Sequence, residues 1–400
     1  MTIACADCGA EQRIPDLPER TAAECLRCGK LLDLSERLDL TIGLAWTWAI
    51  FLLLFPANLL PLMQATLGED TRVNYLSSGV TALWGDHWPF LALMFAAFAI
   101  VIPFIRAGLV LLVLTAIAIH RRPPWLGRAF RYAEALRLWA MPEVVILAGL
   151  VIFMRTSFQL QGQVEWGGWC LMAAAFLSML TPWALSPHRV WRAISPDREE
   201  PNGAPTISCD ACNLVLPLSA ERTPCPRCRR RLHLRKPNAM QRTAALVVAG
   251  YVLYFPAYYY SMSYTMQPGG VQQHTIIDGV KELAGAGYWE LAVIIFTASI
   301  LIPMFKLIGL SWLLMSVHFP SKRTLVLRTR LYRVIHKIGR WSNTDPFIVA
   351  LMTPLLSFGG IVEVHAGKAA LPFALVVTVT MLASRSFDSR LMWDAAEGHI

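Results

Sequence analysis

The chain repeats itself. Phe55-Pro56-Ala57 has a counterpart in Phe255-Pro256-Ala257, Gly79-Val80 in Gly279-Val280, Gly85 in Gly285, Ile102-Pro103 in Ile302-Pro303 and Arg106 in Lys306, all at one constant offset. After a slip of two residues, Trp139 matches Trp341, Glu143 matches Asp345, Met179-Leu180 matches Met381-Leu382 and Trp191 matches Trp393. An ordered series of this length is a tandem duplication, and it requires whatever one half folds into to be built twice.

The repeating unit is apolar. Of the 400 residues, 55% are hydrophobic and 16% charged, against roughly 25% charged in an ordinary soluble domain. The surplus calls for lipid. Each copy divides into four apolar runs, roughly Thr41–Met63, Trp88–Ile119, Trp139–Met154 and Gly168–Leu185, then Thr243–Tyr264, Tyr288–Val317, Trp341–Phe358 and Ala369–Ser384. The expected fold is an all-α membrane protein with about four spans per copy, kinked at Pro103 and Pro303 because proline removes a helix hydrogen bond. Short strands are expected near Val73–Leu76 and Val271–His274.

The net charge of +9 sits in particular connections. Arg121, Arg122, Arg128, Arg131 and Arg137 follow the second run, and Lys322, Arg323, Arg328, Arg330, Arg333, Lys337 and Arg340 follow its counterpart. The other connections are near neutral or acidic, so the positive-inside rule puts the basic loops and both termini in the cytoplasm. A further basic stretch, Arg227–Lys236, reads as a contact to anionic headgroups or a topology signal, not as a nucleic-acid surface.

Eight of the nine cysteines form Cys-x-x-Cys pairs: Cys5/Cys8 and Cys25/Cys28 before the first bundle, Cys209/Cys212 and Cys225/Cys228 before the second. Two such turns complete a tetrahedron of thiolates with no open position, which predicts two structural Zn²⁺ ions. Iron has the same ligand requirement, and redox disulfides are the alternative. Segments this short lack a core of their own, so metal supplies folding energy. The domains expected are a zinc ribbon at 1–38, a transmembrane bundle at 39–192, a linker with the second ribbon at 193–238 and a second bundle at 239–400.

Arg106 and Lys306 lie inside long apolar runs, where a charge costs roughly 2.5–3.5 kcal/mol. Glu143 and Asp345 are the acids placed to relieve them, and a Lys306–Asp345 contact is expected, surrounded by Ser299, Ser342 and Thr380. The first copy carries Ala99, Ala140 and Met141 where the second has Ser299, Ser342 and Asn343, so the second copy is the candidate working half. The tyrosines of Tyr251–Tyr264 read as an interface belt.

The paired ribbons, Phe55-Pro56-Ala57-Asn58, the Ile-Pro-x-x-Arg/Lys motif at Ile102–Arg106 and Ile302–Lys306, and the closing Ser384-Arg385-Ser386-Phe387-Asp388 together resemble the paraquat-inducible protein A family over essentially the whole chain. The first copy departs from the closing motif, with Thr181-Pro182-Trp183-Ala184. The resemblance implies an inner-membrane, non-enzymatic component of a Gram-negative lipid-trafficking system that loads or unloads phospholipid at a tunnel formed by a periplasmic MCE-domain protein. It also implies that Lys306, Asp345, Ser299, Ser342 and Thr380 form a polar network, with Arg106 and Glu143 as the first-copy equivalents. Two other functions fit the same residues: a scaffold or gate that anchors a periplasmic partner, and a membrane redox or metal sensor. An ATP-driven pump is disfavoured, since there is no Gly-x-x-x-x-Gly-Lys-Ser/Thr loop to hold phosphates.

Overall fold

The computed structural model describes residues 2–14, 21–34, 40–67, 69–156, 161–195, 206–267, 269–319, 321–339, 343–357 and 363–398. Each half follows one order. The first runs helix Leu40–Leu59, strands Met63–Leu67 and Asp70–Asn74, helices Leu76–Gly85, Pro89–Ala118, Leu126–Leu136 and Pro142–Thr156, strand Gln161–Val164 and helix Trp166–Ala184. The second runs helix Ala239–Tyr259, strands Ser263–Gln267 and Gly270–His274, helices Ile276–Gly285, Trp289–His318, Leu325–Ile338 and Thr344–Leu355, strand Glu363–Ala366 and helix Ala370–Ser386.

Among the described residues, three helices are long and apolar enough to cross a membrane: Leu40–Leu59, Pro89–Ala118 and Trp289–His318. A fourth span results if Ala370–Ser386 and Arg390–Glu397, bent by 45°, count as one. Pro142–Met154, Trp166–Thr181 and Thr344–Leu355 are apolar but shorter. Thr344–Leu355 is buried at every residue but Pro354, as befits a helix packed inside protein and not against lipid.

Pro103 and Pro303 produce no sharp break. A π-helical stretch precedes each, Ala96–Val101 and Thr297–Leu301, and the helix continues as Ile302–His318 in the second half. The wider turn takes up the hydrogen bond and space that proline denies an α-helix.

In each half, a three-stranded antiparallel sheet closes the end of the bundle reached by the first helix. Met63–Leu67 and Ser263–Gln267 are the central strands. Their third partners, Gln161–Val164 and Glu363–Ala366, arrive late in each repeat with registers such as Met63↔Val164 and Ser263↔Ala366. Gly167 and Gly367 each follow the third strand of their half closely. A side chain on either would strike backbone carbonyls, those of Leu60 and Ser261.

The halves share one apolar core, running from Ala57 and Phe95 through Val144 and Ile152 to Phe347, Phe373 and Val377. Polar bonds cross it as well. Fully buried Asn74 donates to the Leu351 carbonyl at 2.9 Å. At the sheet end, His365 Nδ1 lies 2.8 Å from the Asp86 carboxylate.

The cysteine-bearing segments are exchanged between the halves. Cys5, Cys8, Cys25 and Cys28 pack with Leu307, Leu310, Ile335, Phe387 and Trp393 of the second bundle. Cys209, Cys212, Cys225 and Cys228 pack with Val113, Leu126, Phe130 and Trp191 of the first. In the second contact, Gly127 lies so close to the Arg227 carbonyl that no side chain fits. Gly127→Val should therefore lower the stability of the purified protein by about 1–3 kcal/mol. Gly149→Ala, where nothing lies within 4 Å, should be neutral or stabilising. Thermal unfolding in detergent measures both.

Candidate functional site: two thiolate centres and a buried polar interior

Each Cys-x-x-Cys turn is shaped by backbone bonds and by a left-handed residue that follows it. Gly9, Gly29, Asn213 and Arg229 have φ of 76, 66, 54 and 59°. Their N–H groups donate back to Cys5, Cys25, Cys209 and Cys225 at 2.8–2.9 Å. Glycine and asparagine take this conformation readily, whereas arginine does so at some cost. The turns aim both thiols of a pair at one point.

The four sulfurs of each set lie within 4.8 Å of one another. The closest separations are 3.5 Å for Cys5–Cys28 and Cys209–Cys228, and 3.6 Å for Cys8–Cys25 and Cys212–Cys225. A disulfide needs about 2.05 Å, and all these thiols are free. Tetrahedral sulfurs at metal bonds of about 2.3 Å sit roughly 3.8 Å apart, which these sets approach. Hydrogen bonding from Cys28 pulls the Cys5 thiol far below its ordinary pKa and pushes Cys8 far above it. Cys209 contacts likewise pull Cys225 down and push Cys212 up. Sulfurs this close cannot all ionise unless a cation shares their charge, so each set can hold a metal ion. The first set has outer donors too. Gln12 Nε2 is 3.0 Å from Cys25 Sγ, and Arg333 Nη2 is 3.0 Å from Cys28 Sγ. Such donors favour the thiolate form.

The second bundle buries the polar residues singled out from the sequence. Lys306 and Thr380 are 0% exposed, Ser299 1% and Asp345 6%. Thr380 Oγ1 donates to the Val377 carbonyl at 2.9 Å. Among the described residues, neither Lys306 Nζ nor Ser299 Oγ has a hydrogen-bond partner. Ser342 and Trp341 lie outside the described residues. The expected Lys306–Asp345 contact is not made. Lys306 Nζ stands beside Gly339, 3.9 Å from where a Cβ on that glycine would be. Asp345, in the first turn of its helix, lines a cleft beneath the sheet.

Two further residues belong here. Buried Asn343 donates Nδ2 to Met141 Sδ of the first half at 3.1 Å. Tyr258 is turned inward, not into an interface belt. Its hydroxyl donates to the Ser299 carbonyl and its ring stacks on Tyr254 at 4.2 Å. The signal was Tyr254 and Tyr258 four apart, which puts both on one helix face. In the first half, Glu143 is 7% exposed and Arg106 is half-buried. Around them Ala99, Ala140 and Met141 are buried without a hydroxyl.

No solved structure matches the chain. Curated relatives do. An Escherichia coli protein, intermembrane transport protein PqiA, is 30% identical over 98% of this chain and 95% of its own length. A Haemophilus influenzae protein, probable intermembrane transport protein, is 28% identical over 97% of this chain and 95% of its own. Escherichia coli lipophilic envelope-spanning tunnel protein A is 32% identical over 66% of this chain and 62% of its own. The profile of one family, paraquat-inducible protein A, matches twice, at residues 40–195 and 240–397. This duplicated match, one per half of the fold, and the near full-length relatives agree: the chain belongs to the paraquat-inducible protein A family.

Proposed function

We propose that this membrane protein is a non-enzymatic, inner-membrane lipid transporter subunit. It loads or unloads phospholipid at the tunnel of a periplasmic MCE-domain partner, and so supports the outer-membrane barrier. One observation carries the reading: a lysine ammonium fully buried in the second bundle with no hydrogen-bond partner among the described residues. Such a charge is too costly to persist without an anion. In a lipid environment the abundant anion is a phospholipid phosphate. Ser299, Thr380 and Ser342 supply hydroxyls for its oxygens. Asp345 is a second charge that sets when the phosphate is held. The relatives' names, intermembrane transport and envelope-spanning tunnel, point the same way.

In this reading the ribbons and the basic helices Leu126–Leu136 and Leu325–Ile338 lie in the cytoplasm, as do both termini, and the two sheets face the periplasm. A periplasmic partner then docks on the sheet end. Photo-crosslinkers at Val73 or Val271, which are 44% and 59% exposed, should capture a periplasmic protein. Capture only from the Leu126–Leu136 or Leu325–Ile338 helices would reverse the orientation.

Both thiolate centres hold Zn²⁺ with a structural role, because four thiolates leave no position for substrate or water. Elemental analysis should return about two zinc per chain. The pair of changes Cys25→Ser and Cys28→Ser should leave about one. Full zinc content in that variant, or iron in the wild-type protein, would contradict the assignment.

A further inference from the structure

A cleft that reaches Asp345 is narrow, ≈ 60 Å³. That is room for a few water molecules and too little for a headgroup or an acyl chain. Asp345 lies on its wall, with Ser263, His274 and Thr275 from the sheet end and Val349 and Met352 from its own helix. Ser263, His274 and Thr275 are hydrogen-bonding groups on the same wall as the carboxylate, and the rest of the lining is mostly apolar. His274 is the link to solvent. Its ring is 23% exposed and sits 2.8 Å from Glu282, which is 46% exposed.

We propose that this cleft is a water-filled proton route that joins Asp345 to the aqueous space on the sheet side of the membrane. A proton leaves the His274 imidazolium, passes along hydrogen-bonded water and forms an O–H bond on Asp345; bulk water returns a proton to His274. Glu282 steadies the imidazolium at the mouth, since the pair is attractive when the ring is charged. Asp278 on the same short helix and Tyr258 of the first helix are the other titratable groups in electrostatic reach, of His274 and Asp345 respectively. The first-repeat wall of the cleft, Val151, is apolar. Both Lys306 and Asp345 are buried, but Asp345 and not Lys306 lines the cleft, so the route reaches the carboxylate and not the ammonium. Protonation of Asp345 removes one negative charge from the second bundle and so favours an anionic headgroup there; deprotonation disfavours it. That consequence rests on the transport reading. The route itself does not.

The test is infrared spectroscopy of the full-length protein in sealed vesicles of known orientation, with a pH jump applied to one face at a time. The protonated-carboxyl band that is absent from Asp345→Asn should rise after an acid jump on the sheet side. It should not rise after a jump on the ribbon side. His274→Gln should slow the rise about tenfold or more, and Glu282→Gln should slow it less. A band that follows the ribbon side, or neither side, overturns the route. A band as fast in His274→Gln as in wild type overturns the part assigned to His274. Lipid transfer is read on the same vesicles. Transfer absent while the band responds would sink the lipid reading and leave the route standing.

Discussion

Lys306→Met abolishes envelope-barrier function while the protein stays in the membrane at near-normal amounts. Methionine keeps the unbranched stem and drops the charge. A buried ammonium costs roughly 2.5–3.5 kcal/mol at a helix centre, and no hydrogen bond in the described structure offsets that cost. Removing it should leave the melting temperature unchanged or raise it. Lost function with retained stability is the signature of a working group, because a structural one would show the reverse. Asp345→Ala should fail equally. So should the double variant Lys306→Met, Asp345→Leu, since Lys306 and Asp345 are not a pair whose joint removal heals the core. The equivalent changes Arg106→Met and Glu143→Gln should be milder, because their surroundings at Ala99 and Met141 offer an anion no hydroxyl. Growth of a transport-deficient strain under detergent stress, with protein level checked in parallel, is the measurement. Full rescue by the double apolar variant would reduce both residues to struts and hand the account to the scaffold reading.

Breaking the first ribbon should cripple the second bundle. Arg333, on helix Leu325–Ile338, donates Nε to Asp7 at 2.7 Å and Nη2 to the Cys28 carbonyl at 2.9 Å. Asp7 is 8% exposed at its side chain and is otherwise held by Lys30 at 2.6 Å. Nearby, Ser389 donates to the Asp7 carbonyl at 2.8 Å, and the Arg27 guanidinium lies 4.4 Å from the Trp393 ring centroid. Removing one partner of a fully buried ion pair costs about 3–5 kcal/mol. Arg333 is 22% exposed, so Arg333→Met should cost less, roughly 2–3 kcal/mol. The distinctive outcome is where the loss falls. Hydrogen exchange should speed up in Leu325–Ile338 and leave Leu126–Leu136 protected. Cys225→Ser in the second ribbon should do the opposite. Exchange that follows each ribbon into the bundle next to it in sequence would contradict the crossed packing.

That crossing was not legible in the sequence, and the reason is physical. Cysteine spacing, apolar runs and the duplication are local patterns, so the metal sets and the repeated order of elements could be read directly. Asp7 and Arg333 are far apart in the chain, and nothing in local spacing says which bundle a ribbon will cover. The third strands were missed for the same reason. Gln161–Val164 is short and polar, and becomes a strand only because Met63–Leu67 presents a free edge. Charge matching suggested that Lys306 and Asp345 meet. Helix geometry decided otherwise, since Asp345 falls in a first turn aimed at the cleft. The prolines were expected to kink or break their helices; the structure shows a π-turn before each and a helix that continues past it, because one wider turn is cheaper than breaking a helix that must stay continuous through lipid.

Two of these observations, a lysine sealed without a hydrogen-bond partner among the described residues and a buried carboxylate on the wall of the cleft beneath the sheet, meet in the claim that the second bundle handles a phospholipid. The most direct test is to replace Ser299 with a photoreactive residue in the full-length protein, irradiate intact cells and identify the adduct by mass spectrometry. The account predicts a phospholipid on position 299, much reduced when Lys306→Met is added. Adducts to protein alone, or a lipid adduct of equal yield without the lysine, would contradict it.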